Sequence, residues 1–256
     1  MINIGTSGYS YEDWIGNFYP EDIKKGDMLK HYSSHFNFTE VNSTYYQMPS
    51  YFVFKNLDEK TPEGFVFSVK AYGGFTHSRD ASKEDAEKFI DALKPIIEKN
   101  KLSCILFQFP YSFHKNADNM DYLKKMREVF KDQNIVIEFR NSAWARQETM
   151  EFLKENNLGW VCVDEPDIKG LIKPFVAVTT DTGYVRFHGR NSGKWYNHNE
   201  AYERYDYMYS EKELMEWKSR IEFIERHSKN ILIAFNNHFR AQGAKNASML
   251  GKILNS

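Results

Sequence analysis

Four pairs of polar residues stand two positions apart at the ends of β-branched or aromatic runs: Glu40 and Asn42, Glu138 and Arg140, Arg186 and His188, Asn236 and His238. Residues i and i+2 of a strand face the same way, so each pair presents two polar groups to one side. Ser7, Lys70, Gln108 and Asp164 occupy comparable places at the ends of four other runs. Carboxylates serve as general acids, bases or nucleophiles, imidazoles move protons or hold metals, and guanidinium or ammonium groups attract anions. Glu138, Glu40, Asp164 and His188 are therefore the candidate catalytic residues. The same types also fit a structural role, in which Glu138 or Asp164 neutralises Arg140 or Arg186.

The elements that must position these groups repeat along the chain. Eight short runs rich in Val, Ile and Phe end at polar residues: INIGTSG (2–8), FNFTEVNST (36–44), FVFSVKA (65–71), SCILFQFP (103–110), NIVIEFRN (134–141), GWVCVDE (159–165), GYVRFHGRN (183–191) and NILIAFNNH (230–238). Such runs read as strands buried on both faces. Helical patterns lie between most of them, as in 83–99, 119–131, 146–157 and 211–227, with Ser82 and Ser210 placed to cap the first and last of these. Strand alternating with helix eight times in a chain of this size predicts an α/β protein, a (β/α)8 TIM-like barrel forming one domain over 1–256. In that fold the strand C-termini surround the active site. Outward-facing polar groups would lie unpaired against apolar helix faces, so the pairs are expected to converge inside the barrel mouth. The two prolines and one glycine of 166–181 leave no room for a full helix, which makes the barrel irregular between strands six and seven. Residues 189–209 form a long aromatic and charged segment after strand seven, a candidate lid.

Composition removes several function classes. A net charge of −1 argues against a general nucleic-acid binder. No apolar stretch reaches the roughly 20 residues of a membrane span, and the chain is expected to be cytoplasmic. Cys104 and Cys162 both fall inside strand runs without metal-ligand spacing and read as reduced core residues.

Within this near-neutral chain, Lys70, Arg140, Arg186 and Arg190 gather positive charge at one opening, with Lys194 beyond, and favour a small anionic ligand. The alternative for Arg186 and Arg190 is to anchor the lid through salt bridges. Ser7, Asn42, Gln108, Asn236 and Asn237 supply hydrogen bonds to a polar ligand. His77, after the third run, is placed to reach the mouth or to bond to backbone. His238 is expected to hydrogen-bond the substrate; His188 and His238 with the carboxylates also make a divalent metal possible, although no HxH or HExxH spacing supports it, and no organic cofactor is implied. Among the rim aromatics, Trp195 and Tyr196 are best placed to stack on a ligand, and tyrosines 202, 205, 207 and 209 are expected to order the loop.

The phrases GTSGYSYEDWIGNFYP, FTEVNSTYY, FSVKA with FTH, LFQFP, IEFRNSAW, YVRFHGRN and FNNH followed by AKNA resemble, in that order, the YecE-like family of TIM-barrel proteins, labelled a domain of unknown function. The resemblance runs from residue 4 to about residue 250 and implies the barrel and a polar pocket at its C-terminal mouth, with no established reaction. Together these readings predict a hydrolase or isomerase for a small anionic substrate, sugar-like or nucleotide-like, using carboxylate and histidine acid–base chemistry. The alternatives are a metal-dependent isomerase, hydrolase or nuclease, and a non-catalytic protein that binds an anionic or nucleic-acid ligand.

Overall fold

In the computed structural model, which describes residues 1–200 and 202–255, eight parallel strands close into a barrel in sequence order. They are β1 (Ile2–Ser7), β2 (Phe38–Val41), β3 (Val66–Lys70), β4 (Leu102–Gln108), β5 (Ile135–Glu138), β6 (Gly159–Asp164), β7 (Thr182–Phe187) and β8 (Asn230–Phe235). Six lie within one of the eight runs, and β4 and β7 each begin one residue before theirs. The helices are α1 (Met28–Ser33), α2 (Tyr51–Glu59), α3 (Gly73–Thr76), α4 (Lys83–Glu98), α5 (Ala117–Val129), α6 (Gln147–Glu155), α7 (Glu211–His227) and α8 (Gln242–Leu254). No helix among the described residues is long and apolar enough to cross a membrane.

Local signals account for the strongest helices. Ser82 and Asp85 form a reciprocal capping box at the start of α4, and Ser210 with Glu213 does the same for α7. Between β6 and β7 the expected irregularity is present, and the chain shows how the exposed face of β6 is covered without a helix. The segment lies along the outer side of the strand: Trp160 Nε1 donates to Phe175 O at 3.2 Å, the Trp160 backbone N–H donates to Thr179 Oγ1 at 2.8 Å, and Cys162 Sγ approaches Ala177 O at 3.6 Å. Extended chain thereby does the work of a helix in shielding apolar strand residues.

Register decides which side chains enter the barrel, because laterally paired residues of parallel strands share a face. Ser7 pairs with Glu40, Glu40 with Ser68, and Gln108 with Glu138. Val163 pairs with Arg186, and Asp164 with Phe187. Phe187 packs on Trp217 of α7 with ring centres 5.1 Å apart, so its face of the sheet is the outer one. Asp164 is therefore turned outward, and the inward acid of the sixth run is Glu165.

Candidate active site

Arg186 occupies the barrel axis near the strand C-termini and is almost fully buried. Its Nε and Nη2 donate to the two oxygens of Glu40 at 2.9 and 2.6 Å, Nη1 donates to Glu138 Oε2, and Nη2 lies 3.4 Å from Ser7 Oγ. Tyr184, two residues before Arg186 on β7, adds a 2.5 Å hydrogen bond to Glu40. Arg140 extends the lattice, pairing with Glu138 Oε1 at 2.8 Å and with Glu165 Oε2 at 2.6 Å. Two guanidiniums thus hold three buried carboxylates that come from β2, β5 and the end of β6. Charges taken out of water at this cost persist only when each is paired and hydrogen-bonded.

His188 completes the floor. Its Nε2 lies 3.3 Å from Glu138 Oε1, and its Nδ1 is 3.1 Å from the Asn236 amide. With Asn236 donating to Nδ1, the neutral ring carries its proton on Nε2, facing Glu138. Burial, helped by Arg140, pushes the imidazole down to about 3 against the pull of Glu138. Burial works to raise the Glu138 carboxyl, but Arg140, Arg186 and His188 overcome it and hold the group well below the usual carboxylate range. Glu165 goes the other way: burial, reinforced by Glu138, raises it to about 7 despite Arg140. An ionised carboxylate against a neutral imidazole, with a second carboxyl titrating near neutrality, is the kind of divergence that separates acid from base roles.

Above this floor opens a cavity of about 460 Å³ lined by Glu40, Asn42, Lys70, Gln108, Arg140, Arg186, Asn236 and His238, with Tyr9, Tyr11, Tyr46 and Tyr205 among its walls. Gln108 donates from Nε2 to the Phe109 carbonyl at 2.9 Å. His238 stacks on Tyr11 with centroids 4.6 Å apart and planes 3° from parallel. Lys70 Nζ lies over the Tyr45 ring, 4.5 Å from its centre. His77 sits behind Tyr45, its ring 4.9 Å from that of the tyrosine and its Nδ1 3.0 Å from Thr76 Oγ1; burial and the charges of Lys70 and Arg140 lower it to about 4. It flanks the cavity without lining it.

Ser7, buried beside Arg186, and His77 do not line the cavity, and four further sequence expectations change. Asp164 accepts from Arg190 Nε and Nη2 at 2.9 and 2.7 Å, from Tyr209 Oη at 2.7 Å and from Trp217 Nε1 at 2.7 Å, all on the helix side of the sheet. Arg190 lies outside the cavity, bridging Asp164 to Glu213 and Glu216 of α7, which is the lid-anchoring alternative. Asn237 follows the inward Asn236 and so turns outward, where its amide donates to Tyr207 O and Asn246 Oδ1 at 2.8 and 2.9 Å. Trp195 is buried in the 189–209 segment, with Arg140 5.7 Å and Arg204 5.4 Å from its ring, and so roofs Arg140 and His188 instead of facing the cavity. The ring this segment does present to the cavity is Tyr205. Gly189, at φ +89°, lets the chain turn out of β7 into the segment; a Cβ there would meet Tyr207 Cβ at 2.8 Å.

Among the described residues no three His, Cys, Asp or Glu side chains gather as a metal-holding group. Glu165, Tyr11 and Tyr184 were not singled out from the sequence, and Tyr205 was read only as ordering its loop. Only Glu165 had a usable signal, since an Asp-Glu doublet at a strand end sends one carboxylate to each face whichever phase the strand takes.

The outward position of Asp164 yields a stability prediction. Asp164→Ala strands Arg190 and leaves the Trp217 and Tyr209 donors without their acceptor, and is expected to cost about 3 kcal/mol. Urea unfolding measures it. An unchanged midpoint would refute the assignment of Asp164 as a structural anchor.

Comparison with known proteins places this geometry. The sequence matches the family described as "Protein of unknown function DUF72" over residues 3–256. It is 33% identical to the UPF0759 protein YunF of Bacillus subtilis (strain 168), over 99% of this chain and 95% of that protein. A crystal structure of a DUF72 family protein from Thermotoga maritima superposes with a TM-score of 0.92 at 40% identity, covering all of both chains. One from Enterococcus faecalis V583 gives 0.89 at 30% identity, covering 100% of this chain and 96% of that one. The YecE-like motifs carry the same relationship under another member's name. With its whole barrel matched, this chain belongs to the DUF72 family, whose function is unknown.

Proposed function

We propose that the cavity is the active site of an enzyme that transforms a small, polar, anionic substrate, sugar-like or nucleotide-like in class, by carboxylate and histidine acid–base chemistry. The observation that carries this reading is the Glu138–His188 contact beneath the cavity floor, in which an ionised carboxylate meets a neutral imidazole between two guanidiniums. Structural ion pairs alone need no neutral imidazole pressed against the carboxylate. Glu40, the carboxylate that lines the cavity, is the candidate general base toward substrate, and Glu138 with His188 tunes the proton inventory behind it. Because Arg140 and Arg186 are engaged with carboxylates, Lys70 is the basic group of the cavity lining without a carboxylate partner among the described residues, and together with the two arginines it makes the positive field that draws an anionic substrate in. Asn42, Gln108, Asn236 and His238 orient hydroxyl or amide groups, and the tyrosine walls suit the faces of a sugar ring or base.

The test is a panel of sugar phosphates and nucleoside monophosphates, read first by thermal shift and then by turnover. One class is expected to raise the melting temperature of the wild type, and Glu40→Gln is expected to retain that binding while losing turnover by about a hundred-fold. No stabilisation by any member, or full turnover in Glu40→Gln, would overturn the reading.

A further inference from the structure

We propose that the Lys70 amine is a nucleophile that condenses with a small aldehyde or ketone bearing a negative charge, forming an imine. The inference rests on the cavity being an active site and adds to that reading a covalent step and a substrate class.

Lys70 ends β3 on the same face as Ser68, whose hydroxyl meets the inward Tyr184 at 2.7 Å, so its side chain rises from the barrel interior into the cavity. The contact made by its Nζ is with the face of Tyr45. Among the described residues it forms no ion pair, and the nearby carboxylates are occupied: Glu40 by Arg186, Glu138 by Arg186 and Arg140. Lys101 shows how this chain treats a buried lysine with a structural task. Its Nζ pairs with Asp58 at 2.7 Å and also reaches the Asp58 carbonyl and both the carbonyl and the hydroxyl of Thr61 within 3.1 Å. Lys70 has no such cage. Placed beside two guanidiniums and largely out of water, its ammonium form is disfavoured, and an aromatic face offers the neutral amine no donor to occupy its lone pair.

Burial, followed by repulsion from Arg186, lowers the amine to about 8. At pH 7 about one molecule in ten then carries the free base, against about one in a few thousand for an ordinary lysine near 10.4. Geometry and protonation agree on a reactive amine at the cavity wall.

The step balances without an oxidant. The Nζ lone pair attacks the carbonyl carbon as the C=O π pair moves to oxygen; nitrogen releases a proton and oxygen takes one, giving a carbinolamine. Its hydroxyl leaves as water with a proton from solvent, and the nitrogen lone pair forms the C=N bond. Amine, carbonyl and one proton become a protonated imine and water. That cation withdraws electrons from the adjacent carbon, whose proton Glu40, lining the same cavity, is placed to take.

The experiment incubates the protein with pyruvate or dihydroxyacetone phosphate and sodium borohydride, which reduces an imine to a stable amine, and maps modified peptides by mass spectrometry. Lys70 is expected to be labelled at least about ten-fold over each exposed lysine at pH 7, with a labelling midpoint near its lowered pKa rather than near 10.4. Lys70→Arg, which keeps the charge and loses the nucleophile, is expected to abolish that label; should it not fold, the wild-type pH profile decides. Label spread evenly over exposed lysines, or a Lys70 midpoint near 10.4, would overturn the proposal. Trapping needs no turnover, so the two readings fail separately. A Lys70 imine with full turnover in Glu40→Gln sinks the acid–base reading alone, and lost turnover without an imine sinks this one alone.

Discussion

Arg186→Met is expected to destabilise the protein by about 3–5 kcal/mol and to change how its stability depends on pH. Methionine fills much of the same volume, so the loss is electrostatic rather than a cavity effect. Glu40 loses both of its charge-assisted bonds from Arg186, and Glu138 keeps Arg140 alone. In the wild type Glu138 is folded with its pKa well below the ordinary 4.5, so the stability it adds is present above about 4.5 and is lost as pH falls. His188, buried neutral with a pKa of about 3 against an ordinary 6.5, acts in the same direction: its contribution is complete above 6.5 and fades as pH falls toward 3. Removing Arg186 leaves Glu138 with one guanidinium instead of two, so its carboxyl is held down less and the stability it contributes above about 4.5 shrinks, while nothing is lost at a pH where the carboxyl is protonated in both proteins. Urea unfolding of both proteins at several pH values from about 4 to 8 should therefore show a deficit that widens as pH increases. A deficit independent of pH would mean that Arg186 matters for packing and not as the counter-ion of Glu40 and Glu138.

That prediction reverses what residue types alone suggest for Arg186, and the reason is physical. The eight strands were legible because their signal is local: a buried parallel strand is a short apolar run, and the two-residue period puts Glu40, Glu138, Arg140, Arg186 and His188 on one face of each run. The capping serines of α4 and α7 were legible for the same reason. The other helices left a weaker mark. In α2 the residues Tyr51, Phe52 and Val53 are exposed beside the mouth, and the first half of α8 buries Gly243, Ala244, Asn246 and Ala247, small or polar residues that give little apolar signal before Leu250 and Ile253 complete the buried face. The phase of β6 was not legible either. Trp160, Val161, Cys162 and Val163 are buried on either face, so nothing in the run told Asp164 from Glu165. The ion-pair lattice was the least accessible feature. Arg186 meets Glu40 across 146 positions and Glu138 across 48, and which carboxylates it reaches follows from barrel closure and register, not from any local spacing. The positive charge read from the sequence as free for an anion is for that reason mostly paired, leaving Lys70.

Glu138→Gln is expected to reduce turnover by about a hundred-fold or more. Glutamine keeps the shape but places a neutral amide between Arg140 and Arg186, and it removes the carboxylate facing His188 Nε2. The imidazole is then pushed further from protonation, since Glu138 is what opposes burial and Arg140 there. Stability also falls, because two guanidiniums lose a shared counter-ion, so the variant must be assayed well below its own melting temperature. Glu165→Gln separates the two effects. It too removes a carboxylate from Arg140, but Glu165 is already near half-protonated at pH 7 and does not contact His188. Its cost to stability should be smaller and its turnover within a few-fold of wild type. If charge balance around Arg140 were all that mattered, the two variants would lose activity in proportion to lost stability. A Glu138→Gln protein that is folded and turns over substrate at near wild-type rate would make Glu138 a counter-ion only, and the acid–base role would rest on Glu40 alone, the carboxylate that faces the cavity.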